Sequence, residues 1–321
     1  MAASKKNFRV SKVTERIYRI ADRDPWKETP FIYLIRCRGF GVLIDTGTGA
    51  HDLLAFLRSE FQFGRPEFAK VLVINTHNHF DHVGGNHHFA TPDKGKLPFC
   101  MNVCMGNNNC EYTLELHNSC AFYMGAKLHP YKVTRWLNDG EKIYLTQKRL
   151  TNHNDEYLQI VHIPGHTPDS IAVYFSAENR LFVGDFLYRW SDIHATGIGA
   201  DLDEFAVSAR KLYRFADAIA SKTAPKICRE ISNSDSDNEI TGISESEQRK
   251  KLQLVMCCGH MNTWLELKYL KEFAAFLERV NSGKLKGTLI KGGTRKRFVS
   301  STNEHDQIRL VTWSTWEPSA L

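Results

Sequence analysis

Val71-Leu72-Val73-Ile74-Asn75-Thr76-His77-Asn78-His79-Phe80-Asp81-His82-Val83-Gly84-Gly85 is the stretch on which the reading of this chain turns. The apolar run 71–74 reads as a buried strand. Directly behind it, His77, His79, Asp81 and His82 crowd four metal-ligating side chains into six residues. Ligands sharing a helix face recur at i and i+3 or i+4. This spacing does not follow that rule and fits a loop leaving the strand. In such a loop His77 and His79 point one way, while Asp81 and His82 diverge toward a second ion. Gly84 and Gly85 then allow a tight turn into the next helix.

Three further stretches repeat the context. Ile160-Val161-His162-Ile163-Pro164-Gly165 precedes His166, Leu181-Phe182-Val183-Gly184 precedes Asp185, and Leu254-Val255-Met256-Cys257-Cys258-Gly259 precedes His260. Each is a short apolar run ending in glycine and then a ligand, so the strand ends are expected to converge on one edge of a sheet. Five imidazoles and two carboxylates form a nitrogen and oxygen set that suits zinc first, with iron or manganese as alternatives. Seven ligands exceed what one tetrahedral ion with an open position needs, so two metals are expected. Metals lower the pKa of bound water to about 7 and supply a hydroxide at neutral pH. Asp81 is the candidate catalytic residue, orienting that hydroxide and shuttling its proton.

The chain around these motifs has 321 residues, 42% hydrophobic and 24% charged. That composition allows a packed core and excludes general disorder. A net charge of +6 favours anionic partners such as phosphates, a CoA-type ligand or an acidic membrane surface. It is too mild to argue for nucleic acid, and no nucleic-acid partner is expected. No apolar signal-peptide core follows the first eight residues, and no run of about 18 apolar residues occurs. The eight cysteines read as cytosolic thiols. A cytoplasmic protein is expected, with peripheral membrane contact through its basic C-terminal stretch as a further expectation.

Periodicity predicts strands over 10–20, 31–37 and 41–45, a helix over 51–63 and a helical segment over 104–123. Strands follow over 157–163, 171–175, 180–183 and 254–257, with helices over 202–220 and 265–280. The order lacks strict βαβ alternation. It predicts an α+β fold, two mixed sheets packed together with helices outside. The catalytic domain is expected over 8–283. It includes a mobile insertion over about 225–251, whose core 231–248 is rich in Ser, Asp, Asn and Glu. Residues 284–321 read as a basic tail with Lys284, Lys286, Lys291, Arg295, Lys296 and Arg297.

Taken in order, Ile44-Asp45-Thr46-Gly47, His77-x-His79-x-Asp81-His82, Gly165-His166, Gly184-Asp185 and Gly259-His260 resemble the motifs of the metallo-β-lactamase superfamily. The resemblance implies an αββα sandwich. It implies that His77, His79 and His166 hold one zinc ion, that Asp81, His82 and His260 hold the other, and that Asp185 bridges them. Asp45 would then be an acceptor that orients the site rather than a ligand. Residues 164–171, 182–188 and 259–263 resemble the acyl-CoA thioesterases within that superfamily. This implies a small-molecule thioester substrate, acyl-CoA first. A hydroxyacylglutathione hydrolase and a persulfide dioxygenase with a single iron are the alternatives.

Asn262 admits two roles, donor to a developing oxyanion or N-cap of the helix expected near Leu265. Cys100, Cys104, Cys110 and Cys120 are spaced too loosely for a zinc site and read as free thiols on a helical insertion. Of Cys257 and Cys258, one is expected in the core and the other partly exposed.

Overall fold

The computed structural model describes residues 7–145, 156–234, 253–301 and 307–315. Strands β1 (Phe8–Lys12), β2 (Ile17–Asp22), β3 (Phe31–Arg36), β4 (Gly39–Ile44), β5 (Phe68–Ile74), β8 (Cys100–Gly106) and β9 (Arg135–Leu137) form a seven-stranded sheet in that order. β6 (Ala90–Thr91) and β7 (Gly95–Lys96) make a separate short pair. The second sheet has six strands, β10 (Lys142–Tyr144), β11 (Tyr157–His162), β12 (Ile171–Phe175), β13 (Arg180–Gly184), β15 (Val255–Cys258) and β16 (Leu265–Glu266). Helices α1 (Leu53–Glu60), α2 (Phe80–Val83) and α3 (Cys110–Leu114) belong to the first half. Helices α4 (Leu202–Ser234) and α5 (Leu267–Asn281) belong to the second.

Alternation along the strands explains the layers, because successive side chains point to opposite faces. On β3, Ile32 and Leu34 join the cluster that α1 covers with Leu53, Phe56 and Leu57. Tyr33 and Ile35 point the other way and meet Leu158, Ile160, Val173 and Phe182 of the second sheet. The far face of that sheet, with Val161, Leu181 and Val183, packs on Phe205 and Leu212 of α4 and on Phe273 and Phe276 of α5. Both sheets are therefore covered on both faces, which is why their central strands read as unbroken apolar runs. The result is the expected αββα sandwich.

Three local expectations are corrected. The run 10–20 is a hairpin, β1 and β2, paired antiparallel from Phe8↔Asp22 to Lys12↔Tyr18. The segment 104–123 is not one helix. It begins in β8, continues as the five-residue α3 and ends in 3₁₀ turns over 116–119 and 122–124. The stretch read as a basic tail supplies β17 (Thr288–Leu289), β18 (Arg295–Val299) and β19 (Arg309–Trp313). With β14 (Asp192–Ala195) these form a third sheet in the order β14-β19-β18-β17. Phe298 and Leu310 bury that sheet against the α4–α5 cluster. The expected mobile insertion 225–251 starts within α4 and otherwise lies outside the described residues. No helix among the described residues is long and apolar enough to cross a membrane.

Candidate metal centre

Two parallel strand pairs decide where the ligands meet. β4 runs parallel to β5, and β13 parallel to β15. Parallel neighbours end at the same sheet edge, so the loops after Ile44, Ile74, Gly184 and Cys258 emerge together. They carry Asp45, His77 to His82, Asp185 and His260. The two sheets are tied at this edge by Ile171 N–H donating to the Thr76 carbonyl, 2.8 Å. Gly259 N–H donates to the Gly184 carbonyl at 2.7 Å. Gly259 itself is forced by space: a Cβ there would stand 2.5 Å from Asp185 Oδ1 and 2.8 Å from His82 Cε1.

Asp45 sits in the left-handed region at φ 64°, an uncommon conformation that a short polar side chain tolerates. Its carboxylate accepts Thr76 N–H at 2.7 Å and Thr76 Oγ1–H at 2.9 Å, and faces His82 Nδ1 at 2.8 Å. The backbone strain thus serves to fix both the start of the ligand loop and one imidazole.

The other imidazoles are held in the same manner. His166 Nδ1 lies 2.7 Å from the His194 carbonyl, and His260 Nδ1 lies 2.9 Å from the Glu28 carbonyl. His77 Nδ1 is 3.0 Å from Thr76 Oγ1. A carbonyl only accepts, so it places a proton on Nδ1 and turns Nε2 inward, where the neutral imidazole presents a lone pair. His77 Nε2 and His166 Nε2 stand 3.1 Å and 3.0 Å from His79 Nδ1. A few ångströms away, His82 Nε2 lies 3.3 Å from Asp185 Oδ1 and 3.5 Å from Asp81 Oδ2. His260 Nε2 is 3.3 Å from Asp81 Oδ2 and 3.3 Å from Asp185 Oδ2.

These contacts fit a metal better than hydrogen bonds alone. Three imidazole nitrogens converge in the first group, and one shared proton joins only one pair, whereas a cation serves all three lone pairs. His82 Nε2 and Asp185 Oδ1 are buried and, although 3.3 Å apart, make no well-aligned hydrogen bond to each other or to any other described group, a condition that costs free energy unless something else fills it. Ligand atoms lie within 4.8 Å of one another in the groups His77/His79/His166, His77/His82/Asp185 and Asp81/His82/His260. The electrostatics differ between the two sides. Burial and neighbouring imidazoles hold His77 well below the usual histidine range and push His79 down to about 3. Burial opposes charge on His260 too, but Asp185 and Asp81 outweigh it and raise that imidazole to about 10. One side therefore offers neutral nitrogen donors, and the other a dense pair of carboxylates that demands positive charge.

The structure brings all seven expected ligands together, and Asp45 stands beside them as an orienting acceptor. Asn262 does not cap α5, whose N-cap is Glu266. Its Oδ1 accepts Arg189 N–H at 2.6 Å and fastens the turn after Tyr188. Cys257 and Cys258 are both fully buried, because β15 is covered on both faces, so neither thiol is partly exposed. Cys100 and Cys104 lie on β8 rather than on a helix, and both are free and buried. Sequence reasoning missed Thr76, Glu28 and His194. Two of these act through backbone carbonyls, which leave no side-chain signature. The Thr76 signal was present in its place beside the ligand loop, opposite Asp45.

Beneath the loop lies a carboxyl group with a consequence for stability. Asp169 is fully buried, accepts hydroxyl hydrogens from Thr167 at 2.7 Å and Thr113 at 2.8 Å, and is pushed up to about 6 by burial. The folded state therefore holds this proton more tightly than the unfolded state between about pH 4 and 6, and stability falls as pH rises through that window. Asp169→Asn removes the titration. Between pH 4.5 and 6.5 the unaltered chain is expected to lose roughly 2 kcal/mol relative to the variant, at about 1.4 kcal/mol per pKa unit. Urea midpoints at both pH values measure this, and parallel profiles for the two proteins count against it.

A sequence profile described as the Metallo-beta-lactamase superfamily matches residues 27–94 and 128–229, more than half of the chain. The chain belongs to the metallo-beta-lactamase superfamily, and the expectation of a metal-binding hydrolase stands with it. It is 26% identical over 224 residues to the acyl-coenzyme A thioesterase MBLAC2 of Gallus gallus, covering 66% of this chain and 75% of that one. The Homo sapiens protein of the same name is 28% identical, over 56% of this chain and 63% of its own length. A hydroxyacylglutathione hydrolase of Aeromonas hydrophila is 28% identical over 49% of this chain and 46% of its own. Among solved structures, a metallo-beta-lactamase family protein from Thermus thermophilus superposes with a TM-score of 0.53 at 17% identity, covering 85% of this chain and 82% of that one. At that identity the likeness concerns the fold.

Proposed function

We propose that this protein is a dinuclear metal hydrolase, zinc first, that cleaves acyl-CoA thioesters. The observation that carries the reading is the meeting of two ligand triads at Asp185. One triad is His77, His79 and His166, and the other is Asp81, His82 and His260. Asp185 is 3.3 Å from His82 and from His260 and 4.0 Å from His166, close enough to both triads to serve two ions. When bound, divalent ions there supply a Lewis acid for the thioester carbonyl and make water acidic enough to attack near pH 7.

The chain's own residues do the rest. Asp81 presents Oδ2 to the interior and is the group that accepts the proton released by the attacking water. Asp45, Glu28 and His194 keep the imidazoles in register so that no reorganisation is needed during reaction. A thiolate leaves readily, so no strong general acid is required at the sulfur. Tyr188 fits this: burial holds its phenol well above the usual range, and its hydroxyl donates to the Asp192 carbonyl.

One feature favours an acyl-CoA, and a second favours a long acyl chain. The MBLAC2 relatives are named for acyl-coenzyme A. In addition, Leu114, Leu116, Phe122, Tyr123 and Met124 all expose large apolar side chains, Phe122 by 78%. Their segment is fastened by Tyr112 Oη donating to the Ile198 carbonyl at 3.0 Å. The neighbouring Gly197 passes so close to the site that a Cβ there would lie 3.2 Å from His79 Nε2. An exposed apolar ledge beside the ligands suits a hydrocarbon tail.

The test compares kcat/KM for palmitoyl-CoA, acetyl-CoA, lactoylglutathione and a chromogenic cephalosporin in one buffer. Palmitoyl-CoA is expected to be hydrolysed fastest and the cephalosporin slowest by far. The glutathione relative supports a second reading. If lactoylglutathione leads by tenfold or more, about 1.4 kcal/mol of transition-state binding, that reading replaces the first.

A further inference from the structure

The sheet of β14, β19, β18 and β17 has two unlike faces. Ile193, Leu310 and Phe298 stand in register and point into the core. The alternate positions of the strands form the opposite face, which carries Asp192, Arg309, Arg295, Arg297 and Trp313. Arg309 pairs in register with Asp192, and Arg295 with Trp313. Arg297 Nε and Arg309 Nε reach the Asp192 carboxylate at 3.1 Å and 3.3 Å. Two guanidiniums thus hold one carboxylate, and a third, Arg295 on the same face, is exposed, with no ion pair among the described residues. Two indoles flank them. Trp313 is 50% exposed and Trp190 58% exposed, and the Trp190 carbonyl accepts from Arg309 Nη2 at 2.9 Å.

The position of this face gives it meaning. β14 is the strand whose His194 carbonyl orients His166, so the face starts at a metal ligand's support. It extends sideways by two strand spacings, roughly 10 Å, to β18. Guanidinium forks match phosphate oxygens in pairs, and purine rings stack on exposed indoles. Here the forks are spaced by strand register and braced by Asp192, which suits a compact multiply phosphorylated ligand better than a diffuse charged surface.

We infer that this face seats the phosphorylated nucleotide end of the substrate's thiol, with Arg295, Arg297 and Arg309 on its phosphates and Trp313 or Trp190 beneath its purine. The inference rests on the acyl-CoA reading for the substrate's identity. It assigns a binding role to a sheet whose strands β17, β18 and β19 lie outside the residues that the family profile matches.

The experiment uses the full-length, metal-loaded protein with Arg295→Ala and Trp313→Ala, both at exposed positions away from the ligands. Calorimetry with adenosine 3′,5′-bisphosphate needs no turnover. The unaltered protein is expected to bind it, and Arg295→Ala to bind about tenfold more weakly. In parallel, each variant is expected to raise KM for palmitoyl-CoA about tenfold with kcat within twofold, while kinetics on palmitoyl-pantetheine, which lacks the nucleotide, stay unchanged. Equal nucleotide binding by all three proteins overturns the inference. So do parallel losses on both thioesters. Loss of binding to phosphatidylserine vesicles in Arg295→Ala, with nucleotide binding intact, assigns the face to a membrane and also overturns it. Arg295-dependent nucleotide binding without hydrolysis of any thioester removes the thioesterase reading but leaves the seat. Thioester hydrolysis without such binding does the reverse.

Discussion

Asp185→Ala is expected to lower kcat/KM by at least about a hundredfold and to bring metal content from two ions per chain to one or fewer. Loss of a residue that merely supports a ligand already costs 10–100-fold in affinity or activity, and on the proposed reading Asp185 would be a ligand itself. Its carboxylate is held well below the usual range despite burial, because His260 and His82 face it. Its side chain lies in the turn after β13 and packs no sheet, so circular dichroism is expected to stay unchanged. His79→Ala, which removes the donor common to the His77 and His166 contacts, is expected to behave alike. Retention of more than about a tenth of the activity by Asp185→Ala, together with two bound metals, would show that it does not bridge.

Gly84→Ala is expected to damage stability and activity together. A Cβ at Gly84 would stand 2.1 Å from the Thr48 carbonyl oxygen and 2.2 Å from its carbon. Backbone cannot rotate aside as a side chain does. Thr48 has little freedom to yield, because its N–H and hydroxyl both donate to Asp22 Oδ2, at 2.9 Å and 2.7 Å. Forcing the segments apart is expected to cost about 3 kcal/mol or more. Gly84 directly follows α2, so the displacement moves Asp81 and His82 as well. A shift of about 1 Å at such a site costs on the order of a hundredfold in rate. A thermal melt and a turnover assay on the same preparation decide the matter. A variant matching the parent in both would mean that the Thr48 loop gives way freely.

The parts of this protein that announce themselves in sequence do so through side chains with strong preferences. Val71 to Ile74 is apolar on both faces because it lies between two layers, and the ligands follow it at strand-end spacing. The hairpin of β1 and β2 stayed hidden because its turn, Val13-Thr14-Glu15-Arg16, holds no Gly, Pro, Asn or Asp. Arg295-Lys296-Arg297-Phe298-Val299 resembled a solvated tail because its charges outnumber its apolar residues. Only Phe298 turns fully into the core, and one buried ring gives no periodicity to read. The run 104–123 misled because Leu114, Leu116, Phe122 and Tyr123 resemble the apolar positions of a helix, yet they face outward. The Glu28 and His194 carbonyls were invisible for the reason that any residue could supply them.

Each proposed ion draws two ligands from the first sheet's half and two from the second, Asp185 being common to both. His77 and His79 are met by His166, and Asp81 and His82 by His260. Even the support crosses over, since His260 leans on the Glu28 carbonyl and Tyr33 Oη donates to the Cys258 carbonyl at 2.7 Å. The metals would therefore act as rivets between the two layers. Neither half alone could hold an ion tightly, so metal uptake would report that the layers had docked. Bound metal would in turn resist their separation by RT ln(1 + [L]/Kd), about 4 kcal/mol at a thousandfold excess over Kd. Starving the protein of metal would then loosen the sandwich along its central seam before it disturbed either sheet.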